Sequence, residues 1–360
     1  MKFIKSIFIG LCISLLLLVL IEVSFRVYDY RFKYRHLPVR ISKGEIDIPF
    51  EEIQIYCFKT GQCVRDPNLI WRYTKISGSK FYQFNSFGLR TINGRELKRS
   101  KDKHAYRIIV FGGSHPFGLG VGYEQTYAQQ LEKLFKREKH KWSKTVEVIN
   151  AAVPGYSTLQ VLNLLKYQMI HYAPDLVIID AGNNDSILLT IDYPWKDSQM
   201  VGKNPVLCQM LNLAERSSFF WYYRLFLNKI INMNNIYKNI DDGRNSPRVS
   251  REENKRNLEE MKKKAHDNNF KIVFLSQMQY KKGRLERGFG EIVEPFIDIY
   301  AQLKDKQNIS DYFLDAVHAS IKGHEEIAKI IYNYLAVNPG YNPGYIDKTV
   351  NADYSISGQR

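Results

Sequence analysis

Apolar and polar positions follow two periods along this chain. Short apolar runs bounded by turn residues read as buried strands: RIIVF ending at Gly112 and Gly113, VEVIN leading to Pro154 and Gly155, DLVIIDAG running into Asn183, Asn184 and Asp185, and FKIVFLS. Between them lie stretches of helical period: EQTYAQQLEKLFKRE, STLQVLNLLKYQMIHY, the charged SREENKRNLEEMKKKAHDN, a stretch near 291–304 that leads to DYFLDAVH, and a last helix, GHEEIAKIIYNYLA. Buried strands that alternate with helices predict a parallel sheet covered on both faces. The expected fold is a three-layer α/β/α sandwich with a flavodoxin-like strand order, 2-1-3-4-5, in which the first strand lies between the second and third.

This rhythm spans residues 101–336 and is interrupted by an insertion at 186–250. Residues 26–100, with short aromatic and polar stretches rich in turn residues, read as an N-terminal extension, and 337–360, with its Pro-Gly pairs, as a C-terminal tail. Residues 1–25 are different. Ser6 to Ile21 are uncharged and mostly apolar, with Lys2 and Lys5 before them and Glu22 after, which is the pattern of a signal peptide or a membrane anchor. No small-x-small cleavage site follows, so an uncleaved anchor is expected. Arg26, Arg31, Lys33, Arg35 and Arg40 beyond the span run against a simple positive-inside reading. The bulk of the chain is nevertheless expected outside the cytoplasm, periplasmic or extracellular, because an N-terminal segment of this kind acts as an export signal.

Charge changes the picture modestly. Lys and Arg number 52 against 37 Asp and Glu, a formal +15, so the surface attracts anions of any kind. With no zinc-finger spacing, RNA-binding aromatic signature or helix-turn-helix, nucleic acid is not expected, and a basic surface near an anionic membrane is the simpler reading. Cys57 and Cys63 bracket a short Gly-containing turn and read either as a disulfide or as two thiols; Cys12 lies in the apolar run and Cys208 has no evident partner.

Chemistry concentrates at the ends of the strands, where open parallel sheets place their functional groups. FGGSHPFG puts Ser114 after two glycines at a helix start, where backbone N–H groups point at it. AAVPGYST offers Gly155, whose N–H is unobstructed by a Cβ, and GNND offers Asn184, whose side-chain NH2 can donate to an oxyanion. DAVH places Asp315 three residues before His318, a spacing at which the carboxylate fixes the imidazole tautomer that accepts a proton from serine. Each alone has a bland reading: a turn, a helix cap, a surface pair. Their order along the chain is the stronger signal.

The four segments FGGSHPFG, AAVPGYST, GNND and DAVH resemble the four blocks of the SGNH (GDSL-type) hydrolase family, over roughly residues 106–335. The resemblance implies Ser114 as nucleophile, His318 as general base and Asp315 as its orienting partner. The Ser114 N–H, Gly155 and Asn184 would form the oxyanion hole. Two positions depart from the pattern: Gly113 stands where the family name implies Asp, and Pro116 where Thr or Ser is frequent. NSFGLR and DPNLIW resemble segments that precede the first block in membrane-anchored members; Arg90 there reads as a holder of an anionic group or a structural ion pair. The aromatic stretch Ser217 to Leu227 reads as core packing, a lid or a membrane contact. His104, His115 and His324 suggest no metal set, and no cofactor is expected. The implied activity is ester hydrolysis through an acyl-enzyme, on an O-acetyl or O-acyl group of a glycan. Lipid ester or thioester hydrolysis, O-acyl transfer to a sugar, and a non-enzymatic glycan-binding or assembly role are the alternatives.

Overall fold

The computed structural model describes residues 2–35, 56–75, 82–189, 195–236 and 246–344. Arg40, two parts of the insertion and residues 345–360 of the tail lie outside the described residues.

Among the described residues nine strands form three sheets: β1 (Cys63–Asp66), β2 (Ile70–Tyr73), β3 (Ala105–Gly112), β4 (Thr145–Asn150), β5 (Leu176–Asp180), β6 (Lys271–Leu275), β7 (Met278–Lys281), β8 (Arg284–Arg287) and β9 (Phe296–Ile297). Helices of ten or more residues are α1 (Lys2–Tyr28), α2 (Tyr127–Arg137), α3 (Thr158–Tyr167), α4 (Pro205–Ala214), α5 (Ser218–Ile236), α6 (Arg251–Asp267) and α7 (Ile321–Val337). The central sheet runs β4-β3-β5-β6-β9, all parallel, which is the order 2-1-3-4-5 in its own strands.

Period-two alternation along β3 and β5 sorts the two cores. Ile109, Phe111, Val177 and Ile179 pack with Leu164 and Leu165 of α3 and Met261 of α6. Ile108, Val110, Leu176 and Ile178 pack with Leu131 and Phe135 of α2 and Ile327 and Ile331 of α7 on the other face. The helices start where capping chemistry allows: Ser157, Ser250 and Ser320 each accept a hydrogen bond from an N–H of the first turn.

Two local expectations give way. The stretch near 291–304 is not one helix: Pro295 cannot continue a helical ladder, and the chain instead forms β9 and a short helix at Ile299–Leu303. No sheet strand leads directly into DAVH: a 3-10 turn at Ile309–Tyr312 precedes it, so the Asp315–His318 turn follows the fifth sheet strand only at a distance, its ends bridged by Phe313 to Ala319.

The extension packs on the sandwich. β1 and β2 form an antiparallel hairpin, Cys57 and Cys63 are joined by a disulfide, and Leu69, Ile70 and Trp71 enter the α3/α6 core. Among the described residues one helix is long and apolar enough to cross a membrane, within Phe3–Lys33. Its apolar side chains from Phe3 to Leu20 are exposed.

Candidate active site

The end of β3 has no room for side chains. A Cβ on Gly112 would lie 1.9 Å from the Asp180 carbonyl oxygen, and one on Gly113 would lie 2.4 Å from Asn184 Nδ2. The glycines that the sequence suggested for a tight turn therefore serve close approach of β5 and its loop. Ser114 opens a single helical turn, Ser114–Phe117. Arg90 underpins the chain beyond it, donating from Nη1 to the Phe117 and Gly118 carbonyls at 2.8 and 2.9 Å and from Nη2 to Val121 at 2.8 Å. The guanidinium sits over the rings of Tyr82 and Phe117, 4.7 and 5.0 Å from their centroids. At 1% exposure it is sealed in by the turn it supports, so it is not presented to an anionic substrate. Burial pulls its pKa down to about 10, partly offset by Tyr82 and Tyr123.

The second half of the site is one compact turn. Asp315 Oδ1 accepts the N–H groups of Val317 and His318, both at 2.8 Å, and the Leu314 N–H donates to the His318 carbonyl at 2.8 Å. That geometry aims Asp315 Oδ2 at His318 Nδ1, 2.7 Å away, and His318 Nε2 at Ser114 Oγ, also 2.7 Å away. Burial alone would raise the Asp315 carboxyl; the hydrogen bond and charge of His318 and the two N–H groups outweigh it and hold the carboxyl below its ordinary value. An ionised Asp315 keeps the proton on Nδ1, leaving Nε2 as the acceptor for the serine hydroxyl.

Asn184 and the loop after Gly155 meet next to Gly113. Asn184 Nδ2 donates to the Tyr156 carbonyl at 3.0 Å, and an amide carries two N–H groups, so one remains for another acceptor. The insertion holds the Gly155 loop: Arg248 Nη1 donates to the Gly155 carbonyl at 3.0 Å, while Nε and Nη2 bind the two oxygens of the fully buried Asp197 at 3.0 and 2.9 Å. Asp197 also accepts from Ser157 Oγ at 2.5 Å. Behind Asn184, Asp185 accepts from the Thr158 N–H and hydroxyl at 2.8 and 2.5 Å and from Asn254 at 2.9 Å. Burial pushes its carboxyl up to about 6 even though those hydrogen bonds pull it down.

A buried network beneath Ser114 was not legible in the sequence. His115, next to Ser114, places Nδ1 2.8 Å from Asp180 Oδ2, the same oxygen that accepts from Tyr127 at 3.0 Å. Gln277 donates to Asp180 Oδ1 at 2.8 Å. His324 is fully buried, accepts the Tyr127 N–H at 3.2 Å, and is held well toward the neutral form by burial, then by His115 and Arg90. A polar residue closing an otherwise apolar strand, Asp180 in LVIID, was the available signal.

The structure thus joins Ser114, His318 and Asp315 in one hydrogen-bonded line and sets Asn184 against Gly113 and the Tyr156 carbonyl, one residue past Gly155. A hydroxyl, an imidazole and a carboxylate in one hydrogen-bonded line is the arrangement of a serine-type hydrolase. The family model of GDSL-like lipase/acylhydrolase matches residues 108–331. The chain belongs to that family and is an ester-bond hydrolase with the SGNH α/β/α fold.

Solved structures that resemble it include the lipase/acylhydrolase from Enterococcus faecalis, at 16% identity and TM-score 0.37, covering 64% of this chain and 95% of that one. The acetyl xylan esterase AlAXEase is 14% identical with TM-score 0.38, over 64% and 99% of the two chains. The lipase Lip_vut3 from a goat rumen metagenome is 16% identical with TM-score 0.37, over 66% and 98%. No curated protein matches the chain.

Proposed function

We propose that the chain is a membrane-anchored serine esterase that removes short O-acyl groups, acetyl first among them, from a glycan outside the cytoplasm. The observation that carries the reading is the continuous line Ser114 Oγ, His318 Nε2, His318 Nδ1, Asp315 Oδ2, with 2.7 Å at each hydrogen bond. Ser114 Oγ attacks the acyl carbon while its proton passes to His318 Nε2, and Asp315 stabilises the imidazolium that results. The oxyanion is held by the Ser114 and Gly155 N–H groups and the second N–H of Asn184. His318 returns the proton to the leaving alkoxide, and the acyl group stays on Ser114. Water then attacks, giving its proton to His318; collapse releases the carboxylic acid and restores the serine hydroxyl.

Substrate class rests on accessibility and charge. Asp315 keeps 34% of its side chain exposed, so the site opens at the surface, and a chain of formal charge +15 attracts an anionic polymer. Retention of α1 as an anchor is supported by its apolar exposed surface, and an extracytoplasmic site by the Cys57–Cys63 disulfide. The test is labelling by a fluorophosphonate probe together with acetate release from acetylated polysaccharide. Ser114→Ala is expected to abolish both. Surviving labelling at another serine overturns the nucleophile; faster turnover of dodecanoyl than acetyl esters, or acetyl transfer to a sugar in place of water, overturns the substrate class or the acceptor.

A further inference from the structure

Two helices of the insertion expose apolar faces that no part of the described chain covers. On α4, Val206, Met210 and Leu213 are 62%, 63% and 71% exposed and share one side of the helix, while Cys208 is buried and Asn212 turns to β1, accepting the Arg65 N–H at 2.6 Å. On α5, Tyr223, Phe226 and Ile230 are 49%, 60% and 45% exposed on one side, while Trp221 is buried on the opposite side. Apolar faces of this size on successive helices ask for an occupant.

The end of the apolar run of α1 identifies it. Glu22 accepts the N–H groups of Ser218 and Phe219 at 3.1 and 2.9 Å and the Ser217 hydroxyl at 2.7 Å, so it caps the first turn of α5. Arg26 donates to the Arg216 carbonyl at 2.9 Å, and Phe25 stacks on Tyr222 with ring centroids 4.6 Å apart. The link between α4 and α5 is thereby fixed to α1 at the level where its apolar run stops, about 28 Å along the helix from Phe3 and so at the edge of a bilayer core. Tyr28, Tyr30 and Phe32 are exposed just beyond that level, as aromatic residues are at a membrane surface. Arg31, Lys33 and Arg216 are exposed there too and suit anionic headgroups.

We infer that α4 and α5 lie in the interfacial layer of an anionic phospholipid bilayer, forming with the end of α1 a platform that seats the hydrolase on the membrane. The inference rests on the reading of α1 as a retained anchor. It goes beyond tethering, because it fixes the orientation of the catalytic domain relative to the lipid.

The test uses the full chain, with Cys12→Ser and Cys208→Ala, reconstituted in vesicles of phosphatidylcholine and phosphatidylglycerol. A nitrobenzoxadiazole fluorophore is placed at Met210→Cys, Phe226→Cys, Leu16→Cys, or Lys329→Cys on the far face of the sandwich. Expected are strong quenching of the 210 and 226 probes by lipids carrying a shallow acyl-chain nitroxide, of the 16 probe by a deep nitroxide, and of the 329 probe by aqueous iodide alone. If the 16 probe is quenched from within the bilayer while 210 and 226 respond to iodide like 329, the platform is overturned and the anchor stands. If 210 and 226 are shielded from iodide, untouched by lipid nitroxides and cross-linkable between chains, a second copy covers the face and the inference is likewise overturned. If the 16 probe is not quenched from within the bilayer, the anchor reading fails and the platform with it.

Discussion

Gly113 is one of the two positions at which this chain leaves the family pattern, and its surroundings turn that departure into a measurable effect. Gly113→Ala places a Cβ 2.4 Å from Asn184 Nδ2, where an ordinary carbon contact is about 3.5 Å. The amide must retreat by roughly 1 Å, and its hydrogen bond to the Tyr156 carbonyl, now 3.0 Å, goes with it. A displacement of that size at a positioning group costs about 10²-fold, and outright loss of an oxyanion donor about 10²–10³-fold in kcat. Gly113→Ala is therefore expected to lower kcat by about 10²-fold, or about 2.7 kcal/mol of transition-state stabilisation, with the urea midpoint little changed. The assay is initial-rate hydrolysis of p-nitrophenyl acetate by the two single variants, Gly113→Ala and Asn184→Ala, and by the double variant. Because both changes act on one amide, Gly113→Ala in the Asn184→Ala background should cost less than about threefold. A near-normal rate for Gly113→Ala, or an undiminished loss in the double variant, would refute the coupling and with it the role proposed for Asn184.

Three further outcomes are expected. Asp315→Asn keeps an oxygen for the Val317 and His318 N–H groups but presents an NH2 to His318 Nδ1, favouring the wrong tautomer; kcat should fall by about 10²–10⁴-fold with the fold intact, measured on the same ester. Arg248→Met strands a buried carboxylate at Asp197 and releases the Gly155 carbonyl, so urea unfolding should report a loss of about 3–5 kcal/mol, largely recovered in Arg248→Met with Asp197→Asn. Asp185 is raised from 3.8 to about 6 on folding, so its contribution is undiminished below about pH 4 and is lost as pH rises through 6, by about 3 kcal/mol. Asp185→Asn should flatten that limb of a stability-versus-pH series, and an unaltered limb would assign it elsewhere.

The periodicity of the apolar runs carried four strands of the sheet and the helices between them, because buried parallel strands and amphipathic helices write their burial into local sequence; the strand order came from the fold that this alternation implies. What it did not carry depends on partners remote in the chain. Arg90 read as an ion pair or an anion holder, yet its partners include three carbonyls 27 to 31 residues away. His115 was weighed only as a member of a metal set and is tied to Asp180, 65 residues on. The β7–β8 hairpin is too short and too polar to show a period and the two residues of β9 are too few, and at β9 the helical reading of 291–304 failed on one proline.

The neck of the insertion has a consequence of its own. Arg248 and Val249 donate to the carbonyls of Ile187 and Asp185 at 2.9 and 3.3 Å, and Leu189 donates to Ser246 at 3.0 Å, so entry and exit strands are zipped together beside the catalytic loops. Once a neck is closed, doubling the length of the loop beyond it costs only about 0.6 kcal/mol of chain entropy. Apart from Asp197, which holds Arg248 and Ser157 beside the Gly155 loop, the insertion is thus a cassette: evolution can lengthen, shorten or exchange the rest of what lies past the zipper, retuning where the enzyme sits and what reaches it, without reopening the chemistry at Ser114.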